Sequence, residues 1–173
     1  MTQRTDFSAM ACSIARAWAV IGEPWTPLIV RDLSLGFTRF DDLRADLGIA
    51  RSILTDRLAT LEHAGVISKQ AYQSINRTRH EYILTEMGQE LVPLVVAITH
   101  WGDRWLDNGN GPPIEFDHAC GSTLRAMIIC PQCQKSLEAG SITARAGPGS
   151  RLGPGSYKVD LLPTTRIQSL DQQ

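Results

Sequence analysis

The side chains in this 173-residue chain best suited to chemistry are its cysteines and one histidine beside them. His118-x-Cys120 is followed, after nine residues, by Cys130-Pro131-Gln132-Cys133. Two-residue spacing lets both thiolates of a Cys-x-x-Cys reach one ion. A second nitrogen–sulfur pair nearby follows the logic of a zinc ribbon or knuckle. His118, Cys120, Cys130 and Cys133 are therefore expected to hold one structural zinc. The single intervening residue in His-x-Cys, which puts both side chains on one face of a strand, is an unusual first half for such a site. Segments of about thirty residues with few large apolar side chains rarely build a core unaided, so a metal staple is one solution. The other is a metal-free hairpin with free thiols, packed on a neighbouring domain through Ile114, Phe116, Leu124, Ile128 and Ile129. A closed four-ligand site leaves no open position for a substrate. No phosphate-cradling glycine loop or nucleophile motif is present either, so an enzyme is not expected.

A second constellation is polar. Over about Arg51 to His63, Leu54, Leu58 and Leu61 form one helical row. Ser52, Thr55, Asp56 and Ala59 form the opposite row, with Arg51 at its start. Arg51, Ser52 and Thr55 can donate to base edges or phosphates, and Asp56 can accept from cytosine N4. Arg57 suits either a phosphate or a brace inside the fold. Further on, Asn76-Arg77-Thr78-Arg79 places two arginines on a polar loop, where they suit phosphate or minor-groove contact. Arg79 equally suits an internal ion pair. Residues 51–80 carry Arg51, Arg57, Lys69, Arg77 and Arg79 against Asp56 and Glu62, a local surplus of three positive charges in a chain of net charge −1.

The elements that position these groups read as follows. A short helix is expected from about Ala11 to Ile21, with Ile14, Ala15, Trp18 and Ala19 on its apolar side. A second helix is capped by Thr26 and opened by Pro27, with Leu28, Ile29, Leu33 and Leu35 as its apolar positions. A third is started by a Thr38/Asp41 capping box, with Phe40, Leu43 and Leu47 on its buried face. Gly48 makes a tight turn into the helix carrying the polar row, and Gly65 ends that helix. Two short helices, a glycine turn and another helix form a helix-turn-helix pattern. In it, the N-terminal part of the last helix enters the major groove. Strands over Val66–Tyr72 and His80–Leu84 around Gln73–Arg79 make a β-hairpin, or wing. A long helix capped by Thr85 and reaching about Leu106 is expected to kink at Pro93. Its Leu91, Leu94, Ile98, Trp101 and Trp105 form an a/d seam suited to dimer packing, with a ligand pocket as the other reading of the tryptophans.

The fold class is thus mainly α with a small β-hairpin wing. A winged helix-turn-helix domain is expected over residues 1–106, a linker over 107–116, a small Cys/His-containing β-hairpin or zinc-ribbon-like extension over 117–146, and a Gly/Pro-rich tail over 147–173. Hydrophobic residues make up 43% and charged residues 20% of the chain, which suits a buried core. No run approaches the roughly 20 apolar residues of a membrane span, and residues 1–11 have no apolar signal core. A cytoplasmic protein with reduced cysteines is the expectation, which favours metal or redox chemistry over structural disulfides.

The run Ile21-Gly22, Trp25-Thr26, Arg31-Asp32-Leu33, Gly36, Arg39-Phe40, Leu43, Leu54-Thr55, Arg57-Leu58, Leu61-Glu62 and Ala64-Gly65, continued by Arg79, Glu81-Tyr82, Leu84-Thr85, Gly88 and Trp101-Gly102, resembles the HxlR-type regulators, relatives of the MarR proteins. The resemblance covers roughly residues 12–106. It implies a winged-helix regulator that binds double-stranded DNA as a homodimer through its first and last helices. It also places near Cys12 a cysteine that senses electrophiles or oxidants in some members, and Arg16 lies one helical turn further on. The tail, with its His-x-Cys-Gly, Cys-x-x-Cys and Gly-Pro-Gly, resembles an extension carried by some members. One departure concerns the recognition helix, where the family often has Ser-Pro and this chain has Ala50-Arg51. A capping hydroxyl worth ~1 kcal/mol is lost and a positive charge is gained. The leading expectation is a regulator, a repressor in type, whose DNA affinity answers to a small molecule or a redox or electrophile signal. The competing one is a winged-helix protein-interaction module without sequence-specific DNA binding.

Overall fold

The computed structural model describes residue 7 and residues 10–74, 77–144 and 147–148; the side chains of residues 73, 74, 77 and 78 are not described. The chain divides into two units, one of Val20–Ala126 and one of Met1–Ala19 with Met127–Gln173. Helices α1 (Ser13–Ile21), α2 (Trp25–Ser34), α3 (Phe40–Leu47) and α4 (Arg51–His63) are followed by strands β1 (Ile67–Ser74) and β2 (Arg77–Leu84). Helices α5 (Glu86–Gln89) and α6 (Val92–Trp105) come next. This is a mainly helical fold with one antiparallel hairpin, as a winged helix-turn-helix requires.

The core is built from one row of each element. Ile29, Val30 and Leu33 of α2, Leu43 of α3, and Leu54, Leu58 and Leu61 of α4 close on Val66, Ile67, Tyr82 and Leu84 at the root of the hairpin. Ile49, in the turn between α3 and α4, is also buried, so that turn is anchored by packing as well as by Gly48, whose φ of 61° is left-handed. The hairpin register runs from Ile67 opposite Leu84 to Ser74 opposite Arg77. Its strands are longer than the sequence suggests, because pairing extends into the polar residues expected to be loop. The outer edge of β2 is partly covered: the Tyr82 N–H donates to the Thr38 carbonyl at 2.8 Å, and Arg39 bridges to Glu81.

Three helix boundaries differ from expectation. Helix α2 begins at Trp25 behind Pro24, so Thr26 is a buried first-turn residue rather than a cap. Helix α3 starts after Arg39, one residue later than expected, with no side-chain cap; Thr38 lies outside the cap position and pairs through its carbonyl with Tyr82 of β2. The long C-terminal helix is two helices. Thr85 caps α5 as expected, accepting the Gly88 N–H at 3.2 Å, but α5 stops at Gln89. Pro93 then lies in the first turn of α6, where a missing N–H costs nothing. Beyond α6, among the described residues, no continuous hairpin forms; Asp117–Thr123 and Ile129–Ser136 make isolated bridges. Most of the expected Gly/Pro-rich tail lies outside the described residues.

The base of the wing is tied to α5 by a compact knot. The Val66 carbonyl accepts the Thr85 N–H at 3.1 Å. The Thr85 hydroxyl lies 2.6 Å from the Gly65 carbonyl and 3.0 Å from that of Val66. Gly88 packs directly on the Val66 carbonyl, and a Cβ there would collide with that backbone oxygen. Gly88→Ala is therefore expected to destabilise the fold by about 2–3 kcal/mol, the overpacking range, as a lower urea midpoint.

A charged group also lies in this core. Asp32 is fully buried, and the Arg31 guanidinium bonds it through Nε at 2.8 Å and Nη2 at 2.6 Å while reaching Asp46 at 3.2 Å. Burial raises the Asp32 pKa and Arg31 pulls it back. Removing the arginine strands the carboxylate, so Arg31→Met is expected to cost about 2–4 kcal/mol at neutral pH, discounted because Arg31 is partly exposed. Without Arg31 the folded-state pKa of Asp32 rises further above its unfolded value. The native state then binds the extra proton, and stability falls as pH rises through that window. The deficit relative to wild type should shrink as pH is lowered from 8 towards 4, as urea titrations at the two pH values will read.

Candidate nucleic-acid interface

Helix α4 is divided by its own sequence. Leu54, Leu58 and Leu61 are 0–2% exposed, while Arg51, Ser52, Thr55, Asp56 and Ala59 all lie on the solvent side. The helix starts behind Ala50 in extended conformation with no side-chain cap, and no acidic residue lies in its first turn. Its first-turn N–H groups and positive dipole end therefore face outward beside Arg51, an arrangement that favours anions. The Thr55 hydroxyl donates to the Arg51 carbonyl at 2.9 Å, which leaves its lone pairs outward.

The Arg51 side chain is positioned by α3. Its guanidinium stacks over the Phe40 ring at 4.9 Å and lies 3.4 Å from the Asp41 carboxylate. Both partners of that ion pair are well exposed, so the pair is weak and exchangeable. Arg57 is turned inward, with its Nη1 3.2 Å from Glu23 across the domain. On the wing, Arg79 is exposed opposite Tyr72, and Arg77 opens β2 with its side chain outside the described residues.

Sequence reasoning missed Arg39. Its guanidinium lies over Tyr72 at 5.3 Å, and it lines an open cleft of about 400 Å3 in which Lys69 and Arg79 of the wing face Asp41 and Asp42 of α3. Thus the start of α3 and the wing contribute cations to one surface. The signal for Arg39 was a bulky cation immediately before a helix that lacks a cap, but its partner on the wing lies 33 positions away in the chain.

The remaining site residues lie on other elements. Leu94, Ile98, Trp101 and Trp105 of α6 are 51%, 56%, 57% and 62% exposed, an apolar stripe left uncovered among the described residues; Leu91 instead packs on the core. Cys12 is half-buried ahead of α1, and Arg16 donates to Ser13 Oγ at 2.9 Å. His118 and Cys120 sit in an exposed turn where the Cys120 N–H donates to His118 Nδ1 at 3.3 Å. Hydrogen bonds from the backbone and side chain of Ser122 lower the Cys120 pKa. Cys130 and Cys133 share a second turn, and N–H donors from Cys133 and Gln132 lower the Cys130 pKa. Among the described residues, no three His, Cys, Asp or Glu side chains gather as a metal cluster. A contact that the sequence did not suggest fastens the segment after α6: the Ala126 N–H donates to His100 Nδ1 at 3.0 Å, with Phe116 edge-on to the imidazole.

A model of the HxlR-like helix-turn-helix family matches residues 20–110. The chain belongs to the HxlR family. An HTH-type transcriptional regulator of Mycobacterium tuberculosis is 39% identical over 138 residues, covering 79% of this chain and 87% of the relative. The regulator YvaP of Bacillus subtilis is 32% identical over 101 residues, 58% of this chain and 93% of its own. Among solved structures, the candidate transcription factor PA1607 aligns with a TM-score of 0.71 at 31% identity, covering 79% of this chain and 95% of that one. The redox regulator HypR in its reduced form aligns with a TM-score of 0.51 at 29% identity, covering 56% and 95%. This HxlR protein is a transcriptional regulator of the helix-turn-helix type, and its family binds DNA. Its relatives are named as regulators rather than enzymes. Among the described residues, no helix is long and apolar enough to cross a membrane.

The geometry around Arg51 gives opposite signs for two neighbours. Arg51→Ala is expected to weaken binding to the cognate operator by about 1–2 kcal/mol, more than to random DNA. Asp41→Asn, which frees Arg51 and removes a carboxylate from the same surface, is expected to tighten binding about two- to fivefold. Fluorescence anisotropy on both DNAs reads both effects.

Proposed function

We propose that this HxlR regulator is a sequence-specific repressor that binds its operator as a homodimer and releases it on a small-molecule or electrophile signal. The observation that carries the reading is the division of α4. Its leucine row is shut in the core, and Arg51, Ser52, Thr55 and Asp56 are left together on the outside. In a helix-turn-helix those side chains meet base edges in the major groove, while Arg77 and Arg79 on the wing meet phosphate or the minor groove. Arg57, held by Glu23, acts as a brace that fixes the angle of the helix.

Dimerisation rests on the α6 stripe. Four large apolar side chains at heptad-like spacing, each more than half exposed, are costly to leave in water. Ile14 and Trp18 on α1 are also exposed. A two-fold pair would present two α4 helices to successive turns of the duplex. For the signal, Cys12 is the candidate thiol; the likeness to the redox regulator HypR supports a redox response.

Operator binding is measured at several salt concentrations alongside sedimentation of the same protein. Wild type should sediment as a dimer at micromolar concentration and prefer the operator over random DNA. Trp101→Glu should sediment as monomer and lose operator preference, since it would bury an unpaired charge. An electrophile should lower operator affinity in wild type and not in Cys12→Ser. Equal affinity for operator and random DNA would favour the protein-interaction reading. A wild-type monomer would remove the dimer.

A further inference from the structure

Arg39 combines a fixed backbone with an unused side chain. Its carbonyl accepts the Leu43 N–H at 3.0 Å as α3 begins, and its backbone bridges to Glu81 of β2. The carbonyl before it, that of Thr38, takes the Tyr82 N–H. The root of the side chain is therefore held by α3 and by the wing together. From there the exposed Arg39 side chain sends its guanidinium over the half-buried Tyr72 ring of β1. Among the described residues this guanidinium has no hydrogen-bond or ion-pair partner. Arg31 and Arg57 are paired with carboxylates, and Asp41, in the same cleft as Arg39, pairs with Arg51 instead. A ring under a guanidinium fixes its flat face and leaves the N–H donors at its rim open to an acceptor from outside.

The place of this group says what that acceptor is. Phe40 belongs to two arrangements: it lines the cleft with Arg39, and its ring carries the Arg51 guanidinium at 4.9 Å. Arg39 therefore stands between the start of α4, one residue away through Phe40, and the wing on which it rests. When α4 enters a major groove and the wing reaches the adjoining minor groove, the sugar–phosphate strand that divides the two grooves passes between them. The first helix of a helix-turn-helix crosses that backbone. Here that helix is α3, and Arg39 immediately precedes its first turn.

We propose that Arg39 binds a phosphate of the DNA strand dividing the groove entered by α4 from the groove reached by the wing, and that Tyr72 is the positioning residue that presents its guanidinium. The proposal rests on the DNA docking proposed above and adds to it a contact that carries no sequence information. A guanidinium fork matches two phosphate oxygens, and each phosphate neutralised releases condensed counterions whatever the bases. Arg39 thus sets affinity and seating, while the outer face of α4 sets preference.

The test uses the full chain and two labelled duplexes: the region immediately upstream of its own gene, and a scrambled duplex of the same length. Anisotropy is read across a series of salt concentrations, with a urea midpoint for each variant. Arg39→Gln keeps a planar group over the ring and removes the charge. It should bind both duplexes about three- to tenfold more weakly, by the same factor, and lower the salt slope by about one per bound protomer, with the urea midpoint unchanged. Arg39→Lys should keep the slope but bind a few fold more weakly, since an ammonium is a point charge without the fork. Tyr72→Phe should bind as wild type. Tyr72→Ala should bind more weakly than wild type, and adding it to Arg39→Gln should cost nothing further. An unchanged slope in Arg39→Gln overturns the proposal and leaves the operator reading standing. So does a loss confined to the upstream duplex, which would make Arg39 a base contact. A lowered urea midpoint with an unchanged slope would make the Arg39–Tyr72 stack a brace for the wing, and also overturns it. Wild type that binds the two duplexes equally removes the sequence-specific reading, while a lower slope in Arg39→Gln still supports the phosphate contact. Wild type that binds neither duplex overturns both.

Discussion

The surface that this regulator presents depends on the burial of three leucines. Leu54, Leu58 and Leu61 are fixed on one side of α4 by Ile29, Val30 and Leu33 of α2 and by the root of the hairpin. A helix has one rotation about its axis that closes such a row, and that rotation decides which residues remain outside. The identity of the outward face is therefore set by apolar packing. The polar residues on it are free to vary without altering the angle at which they are shown. The loss of a capping hydroxyl at Ala50 is tolerated for the same reason: tertiary burial dominates a local deficit of ~1 kcal/mol.

Around that row the charged groups sort by depth. Arg31 and Asp32 are locked together at the end of α2, and Arg57 is spent on Glu23. Arg31 reaches on to Asp46 of α3, and Arg57 ties α4 to the turn ahead of α2. Arg51, Arg39 and Arg79 lie further out, two of them resting on aromatic rings that orient a guanidinium while leaving its donors in water. A net charge of −1 over the chain thus coexists with a cleft between the start of α3 and the wing in which Arg39, Lys69 and Arg79 outnumber Asp41 and Asp42.

Much of this was legible in the residues. The 54–58–61 row, the Gly48 and Gly65 turns and the Thr85 cap each follow from local chemistry, and each stands where the sequence puts it. What escaped was set by tertiary partners. Thr38 was read as a cap, but its carbonyl is taken by Tyr82, 44 positions on. Pro93 was read as a kink, but a proline near the start of an apolar run serves equally as a first-turn residue, and sequence period cannot tell one bent helix from two. The seam was legible as periodic; that Leu91 would join the core while Leu94 to Trp105 stayed outside was not, because it depends on where the helix restarts. The contact from His100 to Ala126 has no sequence signature, since an imidazole nitrogen is satisfied there by a backbone donor that no motif specifies.

The knot at the base of the wing has a mechanical meaning. Val66 is held by Thr85, Gly88 lies against Val66, and the Gly88 carbonyl accepts the Leu91 N–H at 3.1 Å at the threshold of α6. The hairpin root and the start of α6 are thereby joined through four residues with no slack between them. The glycine has no side chain that could reorient at this joint, and the Thr85 hydroxyl reaches the carbonyls of both Gly65 and Val66 just ahead of β1. The root of the hairpin and the approach to α6 thus meet at one backbone contact, Val66 against Gly88, where a glycine is the only residue that fits.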